Sequence, residues 1–268
     1  MSKRILLLLL MSVLLTACGP EPSWENENVS VASNRIMADN VKAVWTLDEG
    51  KASEAGKGTL IRIEIKKDDG ERIDKFELNH EKLLHLIVIG KDLAYFNHIH
   101  PEYKGDGVFE IENDFPAGGE YRLIADFKPA GGDSMTKMEW VRIEGKRAEP
   151  VPVVPDASLE KIVDGKRVTL SIDQLEPKKE SKLTFTLADE QTNQPITDLE
   201  PYLGAIGHVV ILSEDGERYV HVHADEGQAT GPDAYFETTF PRSGVYKVWG
   251  QFQRDNQVFT VSFVVKVP

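Results

Sequence analysis

Apolar and polar residues along this chain fall into short runs rich in Val, Ile, Thr and aromatic side chains. Gly, Asp, Asn or Pro separates the runs, and no convincing amphipathic helix is present, so the pattern indicates β-strands throughout. Seven strands are predicted in the first half, at 41–47, 60–66, 83–90, 93–100, 108–115, 121–127 and 138–144. Seven more are predicted in the second half, at 168–172, 182–187, 208–213, 218–223, 234–240, 246–252 and 257–267.

The two halves of the chain repeat each other. Three histidines recur 123 positions later with unchanged spacing, and the two trios are His85, His98 and His100, and His208, His221 and His223. A Phe-Pro-x-x-Gly-x-Tyr segment at 115–121 recurs at 240–246, and its Gly-x-Tyr resembles the tyrosine corner of immunoglobulin-like sandwiches. This internal duplication predicts an all-β protein of two tandem immunoglobulin-like β-sandwich domains, each with about seven strands.

Polar and proline-rich segments set the expected domain boundaries. Residues 18–40 are polar with little periodicity, as expected of a flexible tether, and residues 148–158 contain three prolines that favour an extended linker. We therefore expect the first sandwich at 41–147 and the second at 159–268.

The first 17 residues have the pattern of a bacterial lipoprotein signal peptide. Lys3 and Arg4 precede an apolar stretch that is too short to span a bilayer, and Leu-Thr-Ala-Cys at 15–18 resembles a lipobox. Cys18 is then the expected lipidation site, and its acyl chains would insert into the lipid bilayer. The predicted location is extracytoplasmic, either at the cell surface or in the periplasm, as a membrane-anchored lipoprotein.

Charge and cysteine content exclude two classes of function. The net charge of −13 argues against nucleic-acid binding, which needs a clustered basic face. Cys18 is the only cysteine, so a lipidated chain has neither a disulfide nor a thiolate ligand, and a blue-copper centre is excluded.

Strand parity turns the histidine spacing into a geometric prediction. Each trio spans two strands joined by a tight turn, at 91–92 in the first half and at 214–217 in the second. A loop of two or four residues pairs odd positions with even ones, so odd-numbered His85 would lie on the same sheet face as even-numbered His98 and His100. The same parity holds for the second trio. Imidazoles at these separations can surround one ion.

We therefore predict one three-histidine metal site in each domain, for up to two copper or zinc ions per chain. Neutral imidazole suits both metals, and the general order of affinities favours Cu(II) at a site with nitrogen ligands. The competing interpretation is that the histidines are ordinary core or surface residues. Three imidazoles on one face make poor core filler, however, because each has two nitrogens that need partners when buried. For the neighbouring His80 and Asp225 an ordinary surface role is favoured.

Several motifs in the second half resemble the extracytoplasmic YtkA-like and cupredoxin-like β-sandwich proteins. They are Tyr-Leu-Gly-Ala-Ile-Gly-His at 202–208, His-Val-His at 221–223, and Phe-Pro-x-x-Gly-x-Tyr-Lys-Val-Trp-x-Gln-Phe at 240–252. The resemblance covers most of the second half and, more loosely, the first, which lacks Tyr-Leu-Gly-Ala. It implies metal handling without a defined reaction, on a cupredoxin-like sandwich.

The favoured function is metal binding, buffering or delivery by a membrane-anchored protein, with a metal-delivery protein as a further partner. The alternative is a metal-independent cell-surface interaction module of two immunoglobulin-like domains. A zinc hydrolase ranks lowest, because only Asp225 and Glu226, and Glu102 in the first copy, could serve as an acid or base near the trios. The chain is therefore not expected to be an enzyme.

Overall fold

A computed structural model of the protein describes residues 36–225 and 227–268. The predicted signal peptide at 1–17, the predicted lipidation site Cys18 and most of the predicted tether lie outside the described residues. Within the part of the chain that is described, no helix has the length and apolar character needed to cross a membrane. Helical structure there includes the short 3-10 turns Ala38–Asn40 and Asp48–Gly50, which flank the first strand.

The first sandwich has two antiparallel sheets. Its strands are β1 (Val41–Leu47), β2 (Gly58–Lys67), β3 (Phe76–Glu77), β4 (Leu84–Gly90), β5 (Phe96–Ile99), β6 (Glu102–Gly105), β7 (Val108–Asp114), β8 (Gly119–Pro129) and β9 (Met135–Ile143). One sheet has the order β1-β2-β7-β6, and the other has the order β3-β8-β4-β5 with β9 also paired to β8. This division of strands between two sheets is that of immunoglobulin-like domains.

The second sandwich repeats the arrangement. Its strands are β10 (Glu160–Val163), β11 (Lys166–Ile172), β12 (Glu180–Asp189), β13 (His208–Ser213), β14 (Tyr219–Val220), β15 (Val222–Ala224), β16 (Asp233–Thr239), β17 (Gly244–Arg254) and β18 (Gln257–Val267). The sheet orders are β10-β11-β12-β16-β15 and β14-β13-β17-β18. The prediction of an all-β chain with two tandem β-sandwiches is confirmed.

Each sandwich has its own apolar core and its own tyrosine corner. Alternating residues of β2 and β12 point into these cores, as expected for strands with one buried face. The Tyr121 hydroxyl donates a hydrogen bond of 2.7 Å to the carbonyl of Ala117, and the Tyr246 hydroxyl donates one of 2.9 Å to the carbonyl of Arg242. The predicted corners are therefore present in both copies.

A third apolar cluster joins the two sandwiches. Every residue of β4 is buried, because Leu84, Leu86 and Val88 face the first core while Ile87 and Ile89 face the second sandwich. The cluster contains Ile87, Ile89, Leu93, Ile124, Val210, Leu212 and Trp249. Complete burial of one such side chain contributes about 1.5–3 kcal/mol, so this contact holds β4 and β8 firmly against β13 and β17.

The strand predictions hold with three additions and one division. Strands β3, β6 and β10 were not predicted. The predicted strand 218–223 is divided in two, because β14 pairs with β13 whereas β15 pairs with β16 in the opposite sheet. This division determines where the second histidine trio lies.

Candidate metal centre

The hairpin of β4 and β5 carries the first histidine trio. Its register pairs Leu86 with Ile99 and Ile87 with His98, and the four residues 91–94 form its loop. Odd positions therefore oppose even ones, as predicted, and the same register continued by one step sets His85 opposite His100. The parity prediction is confirmed for this copy.

The three imidazoles of the first trio converge. The Nδ1 atom of His85 lies 3.0 Å from the Nε2 atom of His98, and one ring nitrogen from each of His85, His98 and His100 falls within 4.8 Å of the others. His85 and His98 are buried and His100 is half-buried. Among the described residues, this is the one group of three or more His, Cys, Asp or Glu side chains that is close enough to share an ion.

Outer hydrogen bonds fix which nitrogen of His85 and His98 carries the proton. The Nε2 atom of His85 is 2.7 Å from the carbonyl oxygen of Asn79, which can only accept, so Nε2 is the protonated nitrogen. The Nδ1 atom of His98 is 2.7 Å from the Oε1 atom of Gln251. The Gln251 amide donates through its Nε2 to the Thr260 hydroxyl at 3.2 Å, which directs its oxygen toward His98. The Nδ1 atom of His98 is therefore the donor.

Unprotonated nitrogens consequently face one another inside the trio. With the outer nitrogens protonated, the Nδ1 atom of His85 and the Nε2 atom of His98 each present a lone pair across 3.0 Å. The buried Nε2 atom of His100 has no hydrogen-bond partner. Two opposed acceptors and one unpaired polar atom are unfavourable in a protein interior, and a bound cation would satisfy all three.

Burial keeps these imidazoles neutral. Desolvation is the main cause that lowers the pKa of His85 to about 4 and the pKa of His100 to about 4, and the charges of neighbouring groups add to the lowering. Desolvation lowers the pKa of His98 to about 3, with a further contribution from His85. The pKa of His208 is also well below its usual value, for the same reason. Near neutral pH the rings offer lone pairs and do not share a proton.

His208 reaches the trio from the second sandwich. Its ring stacks on that of His85 at 11° with centroids 5.5 Å apart, and it lies 4.8 Å from the ring of His98. Gly207 allows the chain just before His208 to pack closely on β17, because a Cβ there would lie 2.6 Å from the Phe252 ring and 2.7 Å from the Gln251 carbonyl oxygen. Groups from both sandwiches thus surround the trio.

His80 also contacts the cluster, although the sequence favoured an ordinary surface role for it. Its ring centroid lies 5.5 Å from that of His208 and 6.1 Å from that of His85. It belongs to a two-residue turn between Asn79 and Lys82, with φ of 48° at His80 and 65° at Glu81. Such left-handed conformations cost residues other than glycine about 1 kcal/mol or more, so the turn holds His80 in place at the expense of strain.

The second trio does not assemble as predicted. The ladder of β13 with β14 has two residue pairs where that of β4 with β5 has four, and the chain then crosses to β16. His221 and His223 are consequently exposed, with ring centroids 4.5 Å apart, while His208 packs on His85 and His98. Within the described residues one three-histidine cluster is present, where the sequence predicted one in each domain.

Asp126 is a buried carboxyl group that sequence reasoning missed. It pairs with His85 across β8 and β4, and its position corresponds in the repeat to Gln251, which pairs with His208. Its oxygens lie 3.5 Å from the Asn79 amide and 3.4 Å from the Tyr219 hydroxyl. Burial raises the pKa of Asp126 to about 6. The 125-residue offset between the halves relates Asp126 to Gln251 and was the signal in the sequence that could have singled out these two positions.

The fold and the cluster define a class of protein: two tandem immunoglobulin-like β-sandwiches with a buried group of imidazoles where they meet. The chain belongs to the family of the domain of unknown function DUF8832, which matches residues 37–145 and 161–268, one match in each sandwich. No curated protein matches the sequence.

Several solved structures show a low level of similarity to the chain. Invasin, a bacterial integrin-binding protein, is 12% identical with a TM-score of 0.25, and the match covers 84% of this chain and 39% of the invasin chain. Domains 4 and 5 of the S-layer protein SbsC are 11% identical with a TM-score of 0.23, covering 85% of this chain and 98% of that one. The D00-D0 domain of intimin is 12% identical with a TM-score of 0.23, covering 83% and 99%. None of these similarities is close enough to transfer a function.

Proposed function

We propose that the protein binds one transition-metal ion, copper or zinc, between the imidazoles of His85, His98 and His100. The observation that carries the proposal is the pair of opposed lone pairs on His85 and His98, with the outer nitrogen of each ring already hydrogen bonded. Histidine ligands in metal sites use the same outer hydrogen bonds to fix the tautomer and orient the ring. The unpartnered Nε2 atom of His100 supplies the third donor.

The donor set restricts the class of ion. Three neutral nitrogens without a thiolate suit Cu(II) or Zn(II), and three protein ligands with an open position are common at zinc sites. Hard ions such as Ca²⁺ and Mg²⁺ prefer oxygen ligands, which this trio lacks. The resemblance of residues 202–252 to YtkA-like proteins, which implies metal handling, agrees with this assignment.

The proposed setting is extracytoplasmic. A lipidated Cys18 would hold the two sandwiches at a membrane surface, where the protein would buffer the ion or deliver it to a protein partner. Replacement Cys18→Ser tests the anchor, and we expect it to move the protein from the membrane fraction to the soluble fraction. Retention of the variant in the membrane would contradict lipid anchoring.

Metal titration of the full chain tests the binding proposal. We expect one tight equivalent of Cu(II) or Zn(II), and a higher melting temperature with metal because the ion binds only the folded state. His100→Ala is the decisive variant, because the His100 Nε2 atom has no partner whose loss would impair folding. It should weaken tight binding strongly, whereas Gln257→Ala, at an exposed residue of β18, should have no effect.

Two results would contradict the proposal. One is the absence of stoichiometric binding, with a melting temperature that metal leaves unchanged, and this would favour the metal-independent interaction module. The other is tight binding that His100→Ala leaves intact.

A further inference from the structure

Five of the seven histidines are joined by ring contacts, and the other two form a pair of their own. His85 contacts His98, His100 and His208, and His208 contacts His80, all with ring centroids 5.5 Å apart or less. His221 and His223 form an exposed pair with centroids 4.5 Å apart. A scattered distribution would leave at least some of the seven histidines isolated on other surfaces.

The exposed pair has the chemistry of a weak cation site. His223 lies in β15 and His221 directly precedes that strand, and Glu237 is directly opposite His223 in the register of β15 with β16. Directly opposed Cβ atoms are about 5 Å apart. The ligand atoms of this group are less close together than those of the buried trio, as expected of a weaker site. Glu180 and Glu237 line the same shallow depression as the two histidines. Two imidazoles and two carboxylates thus border one solvent-accessible depression.

The side chain of Lys182, which is the cation opposite Glu237, is directed elsewhere. Lys182 pairs with Glu237 in the register of β12 with β16, but its Nζ atom lies 3.4 Å from Asp225 and over the Tyr235 ring at 4.7 Å. Glu237 forms no ion pair within the described part of the chain. Its carboxylate is therefore available to a bound ion.

A cleft extends from His223 of the exposed pair to His80, which packs against the buried cluster. The cleft has a volume of about 590 Å³, and both His80 and His223 line it together with the 204–206 loop and Asp225. His80 is the member common to both ends, because its ring also contacts His208 and His85. The left-handed turn described above holds His80 at this junction.

We propose that His221 and His223, with Glu237, form a second site that captures the same class of ion from solution, and that His80 transfers it to the buried trio. This inference rests on the proposed metal-binding function. Without such a route, a buried trio covered by His208 would exchange its ion slowly. The net charge of −13 would also attract cations to the protein.

Stopped-flow kinetics on the full chain, with Zn(II) or Cu(II) alone as the probe, test the route. In the double variant His221→Ala/His223→Ala we expect association and dissociation rates of the tight site to fall together by about tenfold, the lower end of typical electrostatic steering effects. The Kd and the single tight equivalent should stay unchanged, because a route alters rates without altering the end states. His80→Ala should reproduce the effect, and Gln257→Ala should not.

The possible outcomes separate the route from the binding function. Tight binding at unchanged rates in the double variant would overturn the route and leave the proposed function standing. Loss of the tight equivalent in the double variant would also overturn it, because the pair would then belong to the tight site. If the unaltered chain binds no metal, the proposed function fails and the route fails with it.

Discussion

The Nδ1 atom of His85 faces the Nε2 atom of His98 at 3.0 Å, and in each ring the opposite nitrogen is already hydrogen bonded. One of those outer partners, the carbonyl of Asn79, belongs to the first sandwich, and the other, the Gln251 amide, belongs to the second. The arrangement of the trio therefore depends on contact between the two repeats. This dependence is the basis of the first prediction.

Replacement Gln251→Leu should weaken metal binding although Gln251 is not a proposed ligand. It removes the acceptor that fixes the His98 tautomer, and the loss of such an outer partner typically costs 10-fold to 100-fold in metal affinity. It also leaves the Nδ1 proton of His98 unpaired in the interior, which should cost about 1–3 kcal/mol of stability. Titration calorimetry and urea unfolding measure the two effects.

Gln253→Leu is the matched control, since Gln253 lies on the same strand but its amide donates to Glu200, outside the cluster. Equal losses of affinity in the two variants would show that Gln251 has no specific role in orienting His98.

The metal-free protein should lose stability as the pH falls from about 6.5 toward 4. Unfolded imidazoles take up protons below their usual pKa of about 6.5, whereas native His85, with a pKa of about 4, and His98, with a pKa of about 3, do so only at lower pH. The unfolded state therefore binds more protons in this range, and its population grows.

Asp126 acts in the opposite direction, because its native pKa of about 6 lies above the ordinary value of 3.8. The buried histidines outnumber it, so we expect a net loss of stability. Urea midpoints at several pH values measure it, and a midpoint that rises as the pH falls through this range would show that the histidines are not buried as neutral rings.

Replacement Trp249→Ala should destabilise the contact between the sandwiches. Trp249 is 2% exposed in the shared apolar cluster, and its ring stacks on that of Phe96 with centroids 5.1 Å apart. Truncation of a buried Trp typically costs about 3–5 kcal/mol, and metal affinity should fall as well because β17 also carries Gln251. Val258→Ala, at a residue 44% exposed, is the control. A change below about 1 kcal/mol for Trp249→Ala, measured by chemical unfolding, would argue against the shared cluster.

The sequence predicted one trio correctly and the other incorrectly, for a physical reason. Which positions share a sheet face depends only on the loop length of the hairpin. The spacing of His85, His98 and His100 was therefore sufficient to predict that they lie on one face, because β5 pairs with β4. The position of His221 depends on whether the chain around it pairs with β13 or with β16. Residue spacing carries no information about which of the two strands it pairs with.

The sequence of β4 carries a sign of the contact between the two sandwiches. Residues 84–90 lack the apolar and polar alternation of a strand with one exposed face, since Ile87 and Ile89 are apolar as well as Leu86 and Val88. Both faces of β4 are therefore covered, and His85 lies on the face that meets His208. The presence of His85 within this apolar run was the clearest sign of the site in the sequence.

The most direct test of the central claim is a crystal structure of the metal-loaded protein, with the ion located by anomalous scattering at its absorption edge. We predict one strong peak with the Nδ1 atom of His85, the Nε2 atom of His98 and the Nε2 atom of His100 at about 2.0–2.1 Å, the usual distance for zinc and imidazole. A strongest peak elsewhere, or no peak among these three nitrogens under saturating metal, would contradict the account.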